Sequence, residues 1–169
     1  LTRAHMPRLV EGSAPSGELS SELRRRWGMT GTVVVAGGAG DNAAAACGIG
    51  AIRPGEGFVS LGTSGVLFVS NDRFRPNTAG AVHAFCHAIP ATWHQMGVIL
   101  SATDSLNWLS TVTGRKQAEL SAAAEASFTG PGEEIFLPYL SGERTPHNNA
   151  GARGSFVGLS HLSDQARLA

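Results

Sequence analysis

Three places in the sequence bring together side chains that can do chemistry. Asp41 follows Gly37-Gly38-Ala39-Gly40 and precedes Asn42 and the run Ala43 to Ala46. A carboxylate at a glycine turn, where a ligand or another backbone can approach closely, suits a general base acting on a substrate bound beside it. The same position suits a helix N-cap, worth about 1 kcal/mol to the helix and carrying no chemistry. Gly62-Thr63-Ser64-Gly65 presents consecutive backbone N–H groups and two hydroxyls at a small-residue turn, a concavity fitted to phosphate oxygens. It lacks the lysine and the spacing of a Walker A loop, and a plain turn has the same composition. His83, His87 and His94 form the third set. Strand positions four apart face the same way, so His83 and His87 can share a metal. No nearby carboxylate or thiol completes such a site, hydrogen-bonded histidines are the commoner arrangement, and no metal site is assigned.

The elements that must position these groups are legible in outline. Residues 1 to 17, rich in Gly, Pro and Ser, read as surface loop, and Ser20 to Trp27 as a short helix with Ser21 as cap and Gly28 as stop. Thr32 to Ala36 is a β-branched run that predicts a buried strand, so Asp41 stands in a strand, glycine turn, helix segment. That helix is expected to end near Ile52, before Pro54-Gly55, and to carry Gly48 and Gly50 inside it. Each costs about 1 kcal/mol relative to alanine, which implies close packing or a bend. Gly57 to Leu61 and Val66 to Val69 flank the Gly62–Gly65 turn as a β-hairpin. Ala81 to Ile89 and Trp93 to Ile99 are a second pair of strands. Ala102, Leu106, Leu109 and Val112 mark one face of a helix ended by Gly114. Lys116 to Ser127 predicts a second helix with Leu120 on its apolar side. Glu134 to Leu140 and Gly154 to Leu159 are strands on either side of the polar loop Ser141 to Asn149.

Composition narrows the class. A chain of 169 residues, 42% hydrophobic and 15% charged, can bury a core and fits one domain or parts of two. Thirteen basic residues balance 13 acidic ones with no run of either sign, so nothing resembles a nucleic-acid footprint. No window approaches the roughly 18 to 20 apolar residues of a membrane span, and the opening residues do not have the form of a signal peptide. A cytoplasmic location is expected. Cys47 and Cys86 read as reduced packing residues rather than a disulfide or zinc framework. The chain opens without methionine and closes on a pattern that starts a helix, so it is expected to be an internal fragment.

The order of the motifs carries more than any one of them. Ala36 to Ala44, Ser60 to Gly65, Val82-His83-Ala84-Phe85-Cys86-His87, and Phe136 to Asn148 with its Ser-Gly-Glu-Arg-Thr-Pro-His-Asn run resemble the middle of an FGGY-family carbohydrate kinase. Gly154 to Leu159 is similar to the opening of that family's C-terminal signature. The resemblance covers residues 20 to 169 and implies an α/β chain, part of an actin-like ATPase fold of two ribonuclease-H-like domains. Residues 1–50 would be the end of the first domain with the hinge helix, and 51–169 the first half of the second, nucleotide-binding domain. It implies transfer of the γ-phosphoryl of ATP to a ketopentose, D-xylulose or a similar sugar, giving the 5-phosphate. Asp41 would be the base and Asn42 would bond a sugar hydroxyl. Gly62, Thr63 and Ser64 would hold the β- and γ-phosphates, with the helix start at Ser101 to Asp104, including Thr103, bordering the nucleotide, where the helix dipole favours anions. Mg²⁺ would arrive bound to ATP, held by phosphates and waters. The implied partners are the sugar and ATP, without nucleic acid or membrane, and a homodimer stays open. Ribulose, gluconate or glycerol as acceptor, and a non-catalytic fragment, are the alternatives. The family's Asp-x-Gly-Thr phosphate loop, first-domain sugar residues and later adenosine loop are not in this sequence, so the 169 residues alone are expected not to turn over.

Overall fold

The computed structural model describes residues 1–169. In chain order the elements are β1 (Pro15–Glu18), α1 (Ser21–Arg26), β2 (Val34–Ala36), α2 (Asp41–Ile49), β3 (Gly57–Leu61), β4 (Gly65–Asn71), β5 (His83–Cys86), β6 (Trp93–Ile99), α3 (Asp104–Thr113), α4 (Gln117–Ser127), β7 (Ile135–Leu137), β8 (Ser155–Val157) and α5 (Gln165–Leu168), with a short 3₁₀ turn at Arg3–His5. Three sheets result: β1 with β2, a four-stranded sheet in the order β3-β4-β6-β5, and β7 with β8. The chain divides into two compact units, Leu1–Phe58 with Val69–Arg75 and Ala84–Gln95, and Val59–Phe68 with Pro76–His83 and Met96–Ala169. No helix is long and apolar enough to cross a membrane.

In the first unit, α1 starts where the Ser20 hydroxyl accepts the Leu23 N–H at 3.3 Å, so the cap is Ser20 and not Ser21. The segment read as loop contains β1, which pairs antiparallel with β2, Gly17 opposite Val35 and Glu18 opposite Val34. The strand expected to be buried is not: Val34 and Val35 are exposed in this chain, because β2 has only β1 beside it. Helix α2 is shorter than expected. Gly50 ends it in the left-handed conformation, φ 78°, that a glycine adopts without penalty, which leaves Gly48 as the one glycine inside. Ala43 and Ala46 are its buried face, while Cys47 on α2 and Cys86 on β5 are both free and exposed rather than packed. Beyond the helix, the buried Ser70 hydroxyl donates to the Ala51 carbonyl at 2.6 Å.

The second unit is built around Phe68, Leu109 and Leu120, all buried. Gly114 ends α3 at φ 69°, as the sequence predicts, but Val112, at the end of the expected apolar face, is exposed. Strands β7 and β8 pair antiparallel, Phe136 opposite Phe156, and those two rings stack at 4.5 Å between centroids, with Trp108 of α3 5.7 Å from Phe136. Asp164 caps α5 by accepting the Ala166 and Arg167 N–H groups at 3.0 Å.

Candidate functional site

The Asp41 turn is shaped by backbone approaching backbone. Gly37 donates its N–H to Ala14 and Gly38 to Gly12, at 2.9 and 3.0 Å, so residues 11–14 lie across the turn. A Cβ added at Gly37 would stand 2.5 Å from the Glu11 carbonyl oxygen, and one at Gly12 2.7 Å from that of Gly38. Nothing in a local reading of residues 1–17 as loop marks Gly12 for this contact. The N-cap of α2 is Gly40, with Asp41 as first helical residue. Its Oδ1 accepts the N–H of Asn42 at 2.8 Å and the Asn42 side-chain amide at 3.3 Å, both from its immediate neighbour. A capping group would serve N–H groups two or three residues on, so the N-cap alternative does not describe this carboxylate. Asp41 is exposed, at a helix N-terminus where negative charge is favoured, and Asn42 is half-buried. A cleft of about 600 Å³ adjoins the turn, lined by Leu9 to Gly12, Gly38 to Gly40, Ala43 and Cys86 to Ala88. Asp41 and Asn42 are not part of its lining.

The histidines go separate ways. His87 and His94 are buried, their rings edge to face at 5.8 Å. Desolvation holds the His87 pKa below its ordinary value, partly offset by the Ala51 backbone, and desolvation together with the neighbouring His87 does the same at His94. His87 Nδ1 accepts the Ile89 N–H at 3.1 Å, which fixes the proton of the neutral ring on Nε2. In the other unit, His83 Nε2 meets Arg144 Nη1 at 3.4 Å. No three His, Cys, Asp or Glu residues come together in a metal-holding group.

The Gly62–Gly65 turn is the tip of the β3–β4 hairpin, and it is strapped to the start of α3. Gly62 O accepts both the Thr103 N–H at 3.0 Å and the Thr103 hydroxyl at 2.7 Å. Thr63 O accepts the Ala102 N–H at 2.8 Å and, more weakly, that of Asp104 at 3.5 Å, while Ser64 O accepts the Gly62 N–H at 3.0 Å. Ser105 and Leu106 N–H donate to the carbonyls of Ala102 and Thr103. The first N–H groups of α3 are therefore spent inside the chain, so the helix start offers an anion its dipole but not those donors. The family resemblance implies that Thr103 borders the nucleotide, and in the structure its hydroxyl is engaged with the hairpin tip. Thr63 and Ser64 themselves are exposed.

One residue that sequence reasoning left without a role is Glu143, in the polar loop after β7. It is 2% exposed. Its Oε1 accepts the Leu100 N–H at 3.1 Å and the Arg144 N–H at 2.7 Å, and Oε2 is buried without a partner. Two residues on, the Thr145 hydroxyl accepts the Val98 N–H and donates to Ala81 O, both at 3.0 Å, and Thr145 N–H donates to Val98 O at 3.1 Å. The loop is thus sewn to the end of β6, a few residues before the Thr103 strap. A Glu inside a run of polar residues gives no local sign that it will be buried.

The chain matches the family described as FGGY family of carbohydrate kinases, C-terminal domain, over residues 57–169. It is 47% identical to the xylulose kinase of Escherichia coli (strain K12) and 48% identical to that of Klebsiella pneumoniae, in each case over 100% of this chain and 35% of the relative. Among solved structures, a xyloylose kinase from Brucella ovis superposes with a TM-score of 0.93 at 55% identity, over 99% of this chain and 35% of that one. A gluconate kinase from Lactobacillus acidophilus, 24% identical, shares the fold with a TM-score of 0.81 over 96% of this chain and 33% of its own. The chain spans about a third of the length of the relatives it matches. Its α/β architecture is that of the sugar kinases, part of the actin-like ATPase fold, and with two thirds of its residues inside the family match this chain belongs to the FGGY family of carbohydrate kinases.

Proposed function

We propose that the chain is part of a kinase that phosphorylates D-xylulose with ATP to give D-xylulose 5-phosphate and ADP. The observation that carries this reading is the 47–48% identity, over the whole chain, to two xylulose kinases. Asp41 takes the proton from the terminal sugar hydroxyl as that oxygen bonds to the γ-phosphorus and the bond to the β-phosphate oxygen breaks, with ADP leaving. Asn42 bonds a sugar hydroxyl. The backbone of Gly62 and Ser64 and the side chain of Thr63 hold the β- and γ-phosphates, and Thr103 lies at the nucleotide border. Positioning and charge stabilisation supply most of the rate in phosphoryl transfer, so a single ordered carboxylate suffices for the proton. The reading leaves Mg²⁺ to the phosphates of ATP and to water, and no step depends on a ligand from this chain.

Residues 1–50 form the end of a first domain with α2 as hinge, and 51–169 the first half of a nucleotide-binding domain. Gly48, the glycine within α2, is the weak point a hinge helix uses. The 169 residues alone do not turn over, and the complete enzyme works in the cytoplasm. A coupled ADP-release assay tests this: a polypeptide of the relatives' length carrying these residues turns over D-xylulose in preference to ribulose, gluconate and glycerol, and the isolated chain does not. Preference for another acceptor moves the reading elsewhere in the family, the alternative that the shared fold with a gluconate kinase keeps open. Absence of any ATP-dependent phosphorylation by the complete polypeptide overturns it.

A further inference from the structure

Gly62, Thr63 and Ser64 of the hairpin tip are exposed, while Gly65 packs against Ile99 and Ala102, so the direction of the three exposed residues depends on hydrogen bonds. A trans peptide unit is planar, with C=O and the following N–H pointing opposite ways. Holding the carbonyls of Gly62, Thr63 and Ser64 therefore fixes the directions of the N–H groups of Thr63, Ser64 and Gly65. All three carbonyls are held: Gly62 O twice by Thr103, Thr63 O by Ala102, and Ser64 O by Gly62. Thr103 is the only one of these partners that uses a side chain. Since a carbonyl can only accept, its hydroxyl donates its single proton to Gly62 O and retains none for a phosphate oxygen.

We infer that Thr103 is a positioning residue for the phosphate-binding tip: its hydroxyl, 2.7 Å from the Gly62 carbonyl, aims the Thr63 N–H group at a nucleoside triphosphate that Thr103 does not itself touch. The inference rests on the reading of the tip as the phosphate site, but the clamp can be measured without it. Thr103→Val keeps the shape and the backbone N–H bond and removes only the hydroxyl. In the full-length polypeptide it raises KM for ATP roughly fivefold to tenfold, the usual worth of one neutral hydrogen bond, and leaves KM for the sugar within about twofold. Thr103→Ser, which keeps the hydroxyl, stays within about twofold of wild type for both. Without nucleotide, the amides of residues 62–65 exchange with deuterium faster in Thr103→Val than in wild type or Thr103→Ser. Thr103→Ala serves as the second hydroxyl-free variant should the valine protein melt early.

Unchanged KM for ATP with unchanged tip exchange in the hydroxyl-free variants overturns the inference, as does a serine variant as impaired as valine. Equal weakening of ATP and sugar also overturns it, since that marks a general structural loss. If the wild-type polypeptide neither binds ATP nor phosphorylates a sugar, the kinase reading fails, and the exchange result alone decides whether Thr103 holds the tip.

Discussion

The Asp41 turn and the Gly62–Gly65 tip are both glycine-rich, and Asp41, Thr63 and Ser64 are all exposed, yet the two are held in different ways. At Asp41 the carboxylate is bonded only to its neighbour Asn42, and the turn beneath it is shaped by glycines that let residues 11–14 lie against it. At the tip, the side chain that does the holding is Thr103, 41 positions from Gly62 in sequence. On the proposed reading, the proton acceptor needs one group in one place, which local geometry can provide. A phosphate cradle needs several N–H groups aimed together, which requires an external support.

The largest effect expected from breaking this pair apart comes from Asp41→Asn in the full-length polypeptide. Turnover should fall about a hundred- to ten-thousand-fold, the range for removing a general base, with ATP affinity within about twofold of wild type. Steady-state kinetics with nucleotide binding by calorimetry checks both halves, and equal turnover by the variant would remove Asp41 from the chemistry.

On the tip side, Glu143→Ala takes away the acceptor of the Leu100 N–H and opens a buried space three residues before the strap. A loss of about 2 to 4 kcal/mol is expected, as for a buried carboxyl group whose removal leaves two backbone N–H groups without their acceptor, and urea denaturation reads it. A change under about 0.5 kcal/mol would mean that Thr145 alone holds the loop to β6.

Gly37→Ala probes the other side. The new methyl meets the Glu11 carbonyl at 2.5 Å and the Val10 side chain at 2.9 Å, so the backbone must shift. The expected cost is about 1 to 3 kcal/mol, with amide exchange at residues 62–65 unaltered. Faster exchange there would show that the two regions are coupled.

The smallest effect is in pH. His87 and His94 are both held below the ordinary histidine value of 6.5, chiefly by desolvation. The unfolded chain therefore takes up protons that the folded one refuses, so stability is complete above that value and declines as pH falls below it. The urea midpoint should drop between about pH 6.5 and pH 5, and less so in a His87→Asn/His94→Asn double variant. A wild-type midpoint flat across that range would mean that both rings charge freely in the fold.

Much of the organisation was legible beforehand because it is local. Gly114 at the end of α3, the hairpin around Gly62 to Gly65 and the Asp164 start of α5 follow from residues within a few positions of one another. The misreadings also have local causes. Ser20 and Ser21 are both good caps, and only geometry selects one. A β-branched run such as Val33 to Val35 predicts a strand, but whether it is covered depends on what packs against it.

The sequence by itself determined the order of elements from α1 onward, the glycine turns and the succession of motifs that resembles one kinase family, because those are written in neighbouring residues. Tertiary structure alone decided that the Asp41 carboxylate is no N-cap, that Glu143 is buried on the Leu100 amide, and that the Thr103 hydroxyl closes on Gly62. These contacts join residues tens of positions apart or depend on which donors the backbone leaves free. A one-dimensional pattern holds the side chains that can make them, but not the distances that select among them.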